Sequence, residues 1–413
     1  MSWTKPLESS SLIESEEFFD EETDDQETNE SINVEEISDL VVYGTDWTTA
    51  TIVDQLIREN IQLNPRFQRR DAWNIIRKSR FIESLILGLP VPQIVLAANK
   101  KERGKYLVLD GKQRLLTLLQ FYGKSDTPNN GFALRGLELR KDLNGLKYQE
   151  ISNDISYSTD LTLLDNQTIR TNLIRNWNNE KLLYKIFLRL NVESTPLSPQ
   201  ELRQALHPGS FSYFIDDQSI ESSALKKIFP TIPDYRMRDV ELLIRYISFQ
   251  YFLKEYKGNL KSFLDETCEK LNKNWETSKI NVEESLEDFE DAVNIGIEIF
   301  GEKNFSRIWL GKEKKYQSRF NRAIFDVIIF YFSNATIREE AKAKKQDVVK
   351  AFQDLCQAQP RFISSVERTS KNIQETYTRF SLWGVYLSEA LDLKFAVPCL
   401  DAENNRILFD GLW

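Results

Sequence analysis

The sequence has one histidine and three cysteines in 413 residues, and both scarcities exclude chemistry. With His207 alone, a zinc site would need the scattered Cys268, Cys356 and Cys399 all to converge on it. An HNH-type nuclease centre, a His-based two-metal site and a Ser-His-Asp triad at any other position are also excluded. His207 stands in Leu206-His207-Pro208-Gly209, which reads as a helix end whose last carbonyls an imidazole can cap; a catalytic histidine is the competing reading. Cysteines that are few, odd in number and widely spaced argue for a reducing cytoplasm and against a disulfide framework. No run approaches the roughly 20 consecutive apolar residues of a membrane helix. No basic segment followed by an apolar run opens the chain, so neither a membrane partner nor a secretory signal is expected. The chemistry must therefore run on carboxylates, Arg, Lys, amides, hydroxyls and a hard cation such as Mg²⁺.

What is present is a core-forming composition, 41% hydrophobic and 28% charged, in a chain long enough for two or three domains. The net charge of −9 hides a split. Residues 1–40 carry fourteen acids and one base, Lys5, which leaves the rest of the chain at about +4. That acidic segment has few apolar residues and no periodicity, so it is expected to be disordered. It is either a solubilising tail or a nucleic-acid mimic that folds over a basic groove.

From Val41 the pattern turns globular. Residues 51–58 place Ile52, Val53, Leu56 and Ile57 on one helical face, and Ile61-Gln62-Leu63 reads as a short strand stopped by Asn64-Pro65. Trp73 to Leu87 predicts an amphipathic helix ended by Gly88 and Pro90. Residues 93–98 and 105–109 read as strands joined by a polar, Gly-containing hairpin linker. The leucine-rich stretch 113–122 predicts a buried helix, 168–174 a strand and 180–190 a helix. Pro196 to Leu202 is a helix start with Ser198 as N-cap, Pro199 at N1 and Glu201 closing a capping box. Beyond about residue 210 the pattern is helical, with helices expected over 240–256, 260–272, 282–300, 320–332, 337–355 and 370–391. The expected organisation is an acidic tail (1–40), an α+β domain (41–210) with a small mixed sheet, and an all-α domain (211–413).

Three clusters carry chemistry. Residues 64–80 hold six bases (Arg66, Arg69, Arg70, Arg77, Lys78, Arg80) against one acid, Asp71, a density that suits phosphate. A solvated helix face explains Arg77, Lys78 and Arg80 equally well; it explains the three loop arginines less well, because like charges there repel unless an anion is present. The second cluster is Asp110-Gly111-Lys112-Gln113-Arg114, between a strand and a buried helix. Gly111 permits close backbone approach, and the helix N-terminus favours negative charge. Lys112 and Arg114 oppose the helix dipole there, and a bound phosphate would compensate them. An ordinary tight turn whose bases pair with Asp110 is the alternative. The third is Phe187-Leu-Arg189-Leu-Asn191, a helix end that can aim Arg189 and Asn191 at one point, with Asn191 equally able to serve as a C-cap. In the helical half, Glu241 and Arg245 at i, i+4 read as a surface salt bridge or as a charged seam.

Taken in order, these segments resemble the GmrSD-type N-terminal domain of modification-dependent restriction enzymes and related anti-phage proteins. The resemblance rests on Asn64-Pro-Arg-Phe-Gln-Arg with Trp73, Phe81-Ile-Glu-Ser-Leu-Ile-Leu-Gly-Leu-Pro-Val-Pro92, Asp110-Gly-Lys-Gln-Arg-Leu-Leu-Thr117, and Phe187-Leu-Arg-Leu-Asn191 with Thr195-Pro-Leu-Ser-Pro-Gln-Glu-Leu202, over about residues 45–210. It implies a ParB/sulfiredoxin-like fold that places nucleotide phosphates on the loop Asp110, Gly111, Gln113 and Arg114, with Arg69, Arg189 and Asn191 completing the pocket. Lys112 departs from the Gln usual in the family and adds charge for phosphate. The absence of histidine beyond His207 means the HNH nuclease half is lacking.

The expected function is therefore binding, and hydrolysis, of a nucleoside triphosphate in a prokaryotic anti-phage or restriction system, as regulator or effector beside a separate nuclease or defence subunit. Asp110 would orient water or hold Mg²⁺ through water, and Arg114 and Arg69 would stabilise the γ-phosphate. The alternative is a non-enzymatic, ParB-like DNA binder that grips backbone phosphates with the same cluster and needs no nucleotide. Sulfiredoxin-like redox chemistry fails because the loop has no cysteine.

Overall fold

In the computed structural model, residues 40–63, 73–100, 102–124, 130–177, 182–183, 186, 198–367, 372–401 and 403–409 are described. The chain divides into two compact units. One runs to Leu206 and includes Pro233–Met237, and the other is made of His207–Ile232 and the chain from Arg238 on. The architecture is mixed α+β, with a small mixed sheet in the first unit and a helical second unit.

The first unit is built on five strands, β1 (Val41–Thr48), β2 (Ile61–Gln62), β3 (Ile94–Ala98), β4 (Tyr106–Asp110) and β5 (Thr168–Arg175), in the order β1-β5-β3-β4-β2. The polar linker after Ala98 folds back as expected, so β3 and β4 are antiparallel, whereas β3 runs parallel to β5 and β2 parallel to β4. Side chains alternate along a strand, and here both faces are apolar. Ile94, Leu96 and Val108 join one core cluster, while Val95, Ala97, Leu107 and Leu109 join another. The first face is covered by α1 (Thr49–Ile57), α2 (Ile75–Ile86) and α3 (Lys112–Phe121), followed by α4 (Tyr148–Asn153) and α5 (Ser158–Asn166). The second is covered by Leu202 and Leu206 of α6 (Pro199–Leu206) with Trp177, Leu182 and Leu183.

Local chemistry sets the helix starts. Thr48 accepts the Thr51 N–H to begin α1, and Asn74 accepts the Arg77 N–H at 2.9 Å to begin α2. The capping box of α6 forms in both directions. Ser198 Oγ accepts the Glu201 N–H (3.1 Å), and Glu201 Oε2 accepts the Ser198 N–H (2.7 Å). Strand β1 has no marked alternation in its sequence; its ladder to β5, from Val41 opposite Arg175 to Thr48 opposite Thr168, is entirely non-local.

The second unit contains α7 (Ser210–Glu221), α8 (Leu225–Ile228), α9 (Arg238–Phe252), α10 (Leu260–Lys273), α11 (Trp275–Phe300), the ribbon β6 (Trp309–Leu310) with β7 (Lys315–Tyr316), then α12 (Arg322–Phe332), α13 (Ala335–Ala343), α14 (Lys345–Ala358), α15 (Pro360–Glu367), α16 (Ile373–Leu391) and the ribbon β8 (Cys399–Asp401) with β9 (Arg406–Leu408). Three expectations are corrected here. The two ribbons mean that this half is not purely helical. The helix read over 337–355 is two helices meeting at Lys344, which leaves helical geometry (φ −115°, ψ 39°) and donates its ammonium to the Leu391 carbonyl at the end of α16. Glu241 and Arg245 are not at the surface. Arg245, 1% exposed, grips Asp326 of α12 with two hydrogen bonds (Nε to Oδ1 3.0 Å, Nη2 to Oδ2 2.6 Å), and Glu241 lies between Arg245 (3.5 Å) and Arg322 (3.3 Å). His207 does follow the last turn of α6; it is buried, and its Nδ1 lies 3.2 Å from Glu269.

Candidate functional site

The turn between β4 and α3 is shaped by two features of the backbone. A bulge puts one extra residue on β4, since Val95 pairs with Asp110 and Leu96 with Val108. Bulges of this kind re-aim the side chains beside them. Gly111 then adopts φ +97° as the N-cap of α3. A Cβ there would come within 3.0 Å of Ile94 Cγ1 and 3.4 Å of Arg114 Nη2, so both the left-handed backbone and the tight packing favour glycine.

Asp110 and Arg114 form the organising pair. Asp110 Oδ1 accepts the Gly111 N–H at 2.7 Å, and Oδ2 receives Arg114 Nη2 at 3.0 Å. The same Nη2 donates to the Gln93 carbonyl at 2.8 Å, while the Gln93 side chain is held by Asn172 Nδ2 at 2.8 Å. Arg114 is 6% exposed, and its Nε is buried without an acceptor. A buried donor in that state is costly unless a ligand or water supplies an acceptor. Arg77, on the first turns of α2, stands near enough that its pKa is lowered, first by burial and then by the charge of Arg114. Its guanidinium also lies 4.7 Å from the centre of the Trp73 ring. A buried guanidinium at a helix N-terminus, with the Arg77 charge near enough to act on it, is an arrangement that favours an anion.

Lys112 does something other than add free charge. Its ammonium donates to Glu201 Oε1, and the two side chains are 6% and 4% exposed. The Glu201 carboxylate therefore closes the α6 capping box with one oxygen and neutralises the first turn of α3 with the other. The capping role was legible from spacing; the ion pair across 89 residues was not. The Gln93 carbonyl was missed for the same reason, since a main-chain acceptor carries no sequence signal. Gln113 is half-buried on the first turn of α3. Arg69, Arg189 and Asn191 lie outside the described residues, as do Arg66 and Arg70 and the acidic segment before residue 40.

Metal binding gains little support from these side chains. Among the described residues no group of three or more His, Cys, Asp or Glu is placed to hold an ion, and both oxygens of Asp110 are engaged. A cation such as Mg²⁺ fits only as a companion of bound phosphates, its coordination completed by water.

Such a turn defines a class: an α+β domain with a glycine-hinged strand-to-helix junction that concentrates positive charge. The family comparison is more specific. Residues 52–208 match the family model of the GmrSD restriction endonuclease, N-terminal domain, so this part of the chain is similar to that domain. The match relates the protein to restriction systems. No curated protein and no solved structure matches the chain significantly.

Proposed function

We propose that the domain binds a nucleoside triphosphate at the β4–α3 turn and hydrolyses it, as regulator or effector of a restriction or anti-phage system in which a separate subunit does the cutting. The observation that carries this reading is the buried, acceptor-less Nε of Arg114, held beside Arg77 at a glycine N-cap. Phosphoryl transfer asks a protein mainly for positioning and charge stabilisation, which these groups supply without histidine. Asp110 acts as a positioning residue: it fixes the Gly111 turn and the Arg114 guanidinium, and it reaches a cation only through water. Arg114 neutralises charge on the phosphates, and Arg77 adds a second guanidinium from α2. Three free cysteines, two of them buried, support a reducing compartment.

The alternative is a DNA-binding domain that uses the same bases for backbone phosphates. Two of the described cations at the turn, Lys112 and Arg114, already have carboxylate partners, which favours a compact ligand over an extended one. Steady-state phosphate release from triphosphates tests the reading. Arg114→Ala should lower the rate about 10²-fold, and the exposed Arg77→Ala, which is safer for folding, should weaken triphosphate binding. Wild-type rates in both variants would remove this turn as the source of any hydrolysis. Salt-sensitive DNA binding that Arg77→Ala weakens, with no triphosphate binding by wild type, would favour the alternative.

A further inference from the structure

A second concentration of positive charge lies in the helical unit and has no part in the nucleotide reading. Between Lys303 and Arg319 the chain carries six bases against one acid, Glu313. This segment leaves α11, forms the β6–β7 ribbon and runs on to α12. Together with its flanks the ribbon encloses a cleft of about 530 Å³ lined by Lys303, Arg307, Lys315, Arg319 and Tyr316, with Glu313 as the one carboxylate among the described lining residues. Glu313 is paired with Lys315 at 2.6 Å, both side chains being more than half exposed, so it offsets a single cation.

The scaffold under these charges is well fixed. Trp309 and Tyr316 pack edge to face across the ribbon, centroids 5.0 Å apart, and the Gln317 N–H donates to the Ile308 carbonyl at 2.8 Å. Asn321 caps α12 through the Ile324 N–H (2.9 Å) and ties it to the Val366 carbonyl (2.8 Å). The reversal is made at Lys314, whose φ of +52° leaves Lys312, Lys314 and Lys315 all exposed. Arg307 differs from the other cations. It is 9% exposed, and burial lowers its pKa, which means that the charged guanidinium is held at the cleft against a desolvation penalty. A bound anion relieves that penalty.

We propose that this cleft and the lysines around it bind the phosphate backbone of a nucleic acid, giving the helical unit a polyanion site of its own. A single phosphate would be met by cations focused on one point. Here one buried arginine is accompanied by exposed bases distributed along a loop and a ribbon, the pattern that tracks successive phosphates and releases counterions as it binds.

The test uses the full chain and a short fluorescent duplex, with anisotropy measured across a range of salt concentrations. Lys303→Gln, Lys315→Gln and Arg319→Gln are combined in one variant, because all three side chains are exposed and the fold should survive; circular dichroism and the thermal midpoint check this. The expected result is duplex binding by wild type that weakens about ten-fold or more in the triple variant at ~0.1 M salt, with the log–log salt slope shallower by about two to three. Triphosphate binding should be the same in both proteins, so a failure of this proposal is distinguishable from a failure at the β4–α3 turn. Absence of duplex binding by wild type, or an unchanged affinity and slope in the variant, would overturn it. So would a variant that loses triphosphate affinity while keeping the duplex, since the cleft would then be a nucleotide site.

Discussion

The ion pair between Lys112 and Glu201 decides whether the first turn of α3 is a ligand contact or a structural joint. Its side chains are 6% and 4% exposed, so removing one partner strands a charge away from water. Lys112→Met leaves the Glu201 carboxylate with the Ser198 N–H, and Glu201→Gln removes the carboxylate that the Lys112 ammonium meets while keeping an oxygen for the capping box. Breaking a buried pair in this way costs roughly 3–5 kcal/mol, whereas replacing both members with neutral groups of similar volume is far milder. The double variant Lys112→Met/Glu201→Gln should therefore recover most of the loss, with a coupling energy above about 2 kcal/mol. Urea unfolding monitored by tryptophan fluorescence, read as a shift in the midpoint at constant slope, supplies the four corners of the cycle. Additivity within about 0.5 kcal/mol would mean that the pair is not coupled, and the joint described here would be wrong. If Lys112→Met keeps wild-type stability and loses triphosphate binding, the lysine is a phosphate ligand, the role that its charge at the helix N-terminus suggests in the sequence.

Other parts of the molecule give independent checks. Glu83 of α2 accepts the N–H groups of Glu138, Leu139 and Arg140 (3.2, 2.8 and 2.7 Å). Burial by itself raises its pKa, but those three donors and the Arg80 charge prevail and hold it below the usual carboxylate value. A carboxylate depressed on folding contributes stability above its unfolded pKa and loses that contribution as the pH falls through the folded one. Glu83→Gln should therefore destabilise by about 1–3 kcal/mol at pH 7, and the gap to wild type should narrow as unfolding is repeated below about pH 4. In the helical unit, Arg245→Ala abandons the buried Asp326 and should cost roughly 3–5 kcal/mol, visible as a lower thermal midpoint, while Arg245→Met/Asp326→Leu should recover much of it. Of the three cysteines, Cys268 and Cys356 are buried and Cys399 is exposed, and burial pushes the Cys356 thiol up to about 12. A thiol reagent at pH 8 should consequently label one equivalent in the native protein, at Cys399, and three after denaturation.

Sequence alone determined the features whose causes lie within a turn or two of chain. The Ser198–Glu201 capping box, the hairpin after Ala98 and the helices at 75–86 and 112–121 follow from caps, glycines and periodicity, and the structure shows them close to where the pattern put them. Tertiary structure alone decided what those elements meet. Strand β1 exists because β5, more than a hundred residues later, supplies its ladder, and no local pattern in Val41–Thr48 announces that. Glu241 and Arg245 have the spacing of an ordinary surface pair, yet packing of α9 on α12 buries them against Asp326 and Arg322. Likewise the charge of Lys112 is legible in the sequence, but its destination is not. Spacing reports which residues share a face, whereas the partner of a buried charge is set by whichever distant segment the packed core brings alongside it.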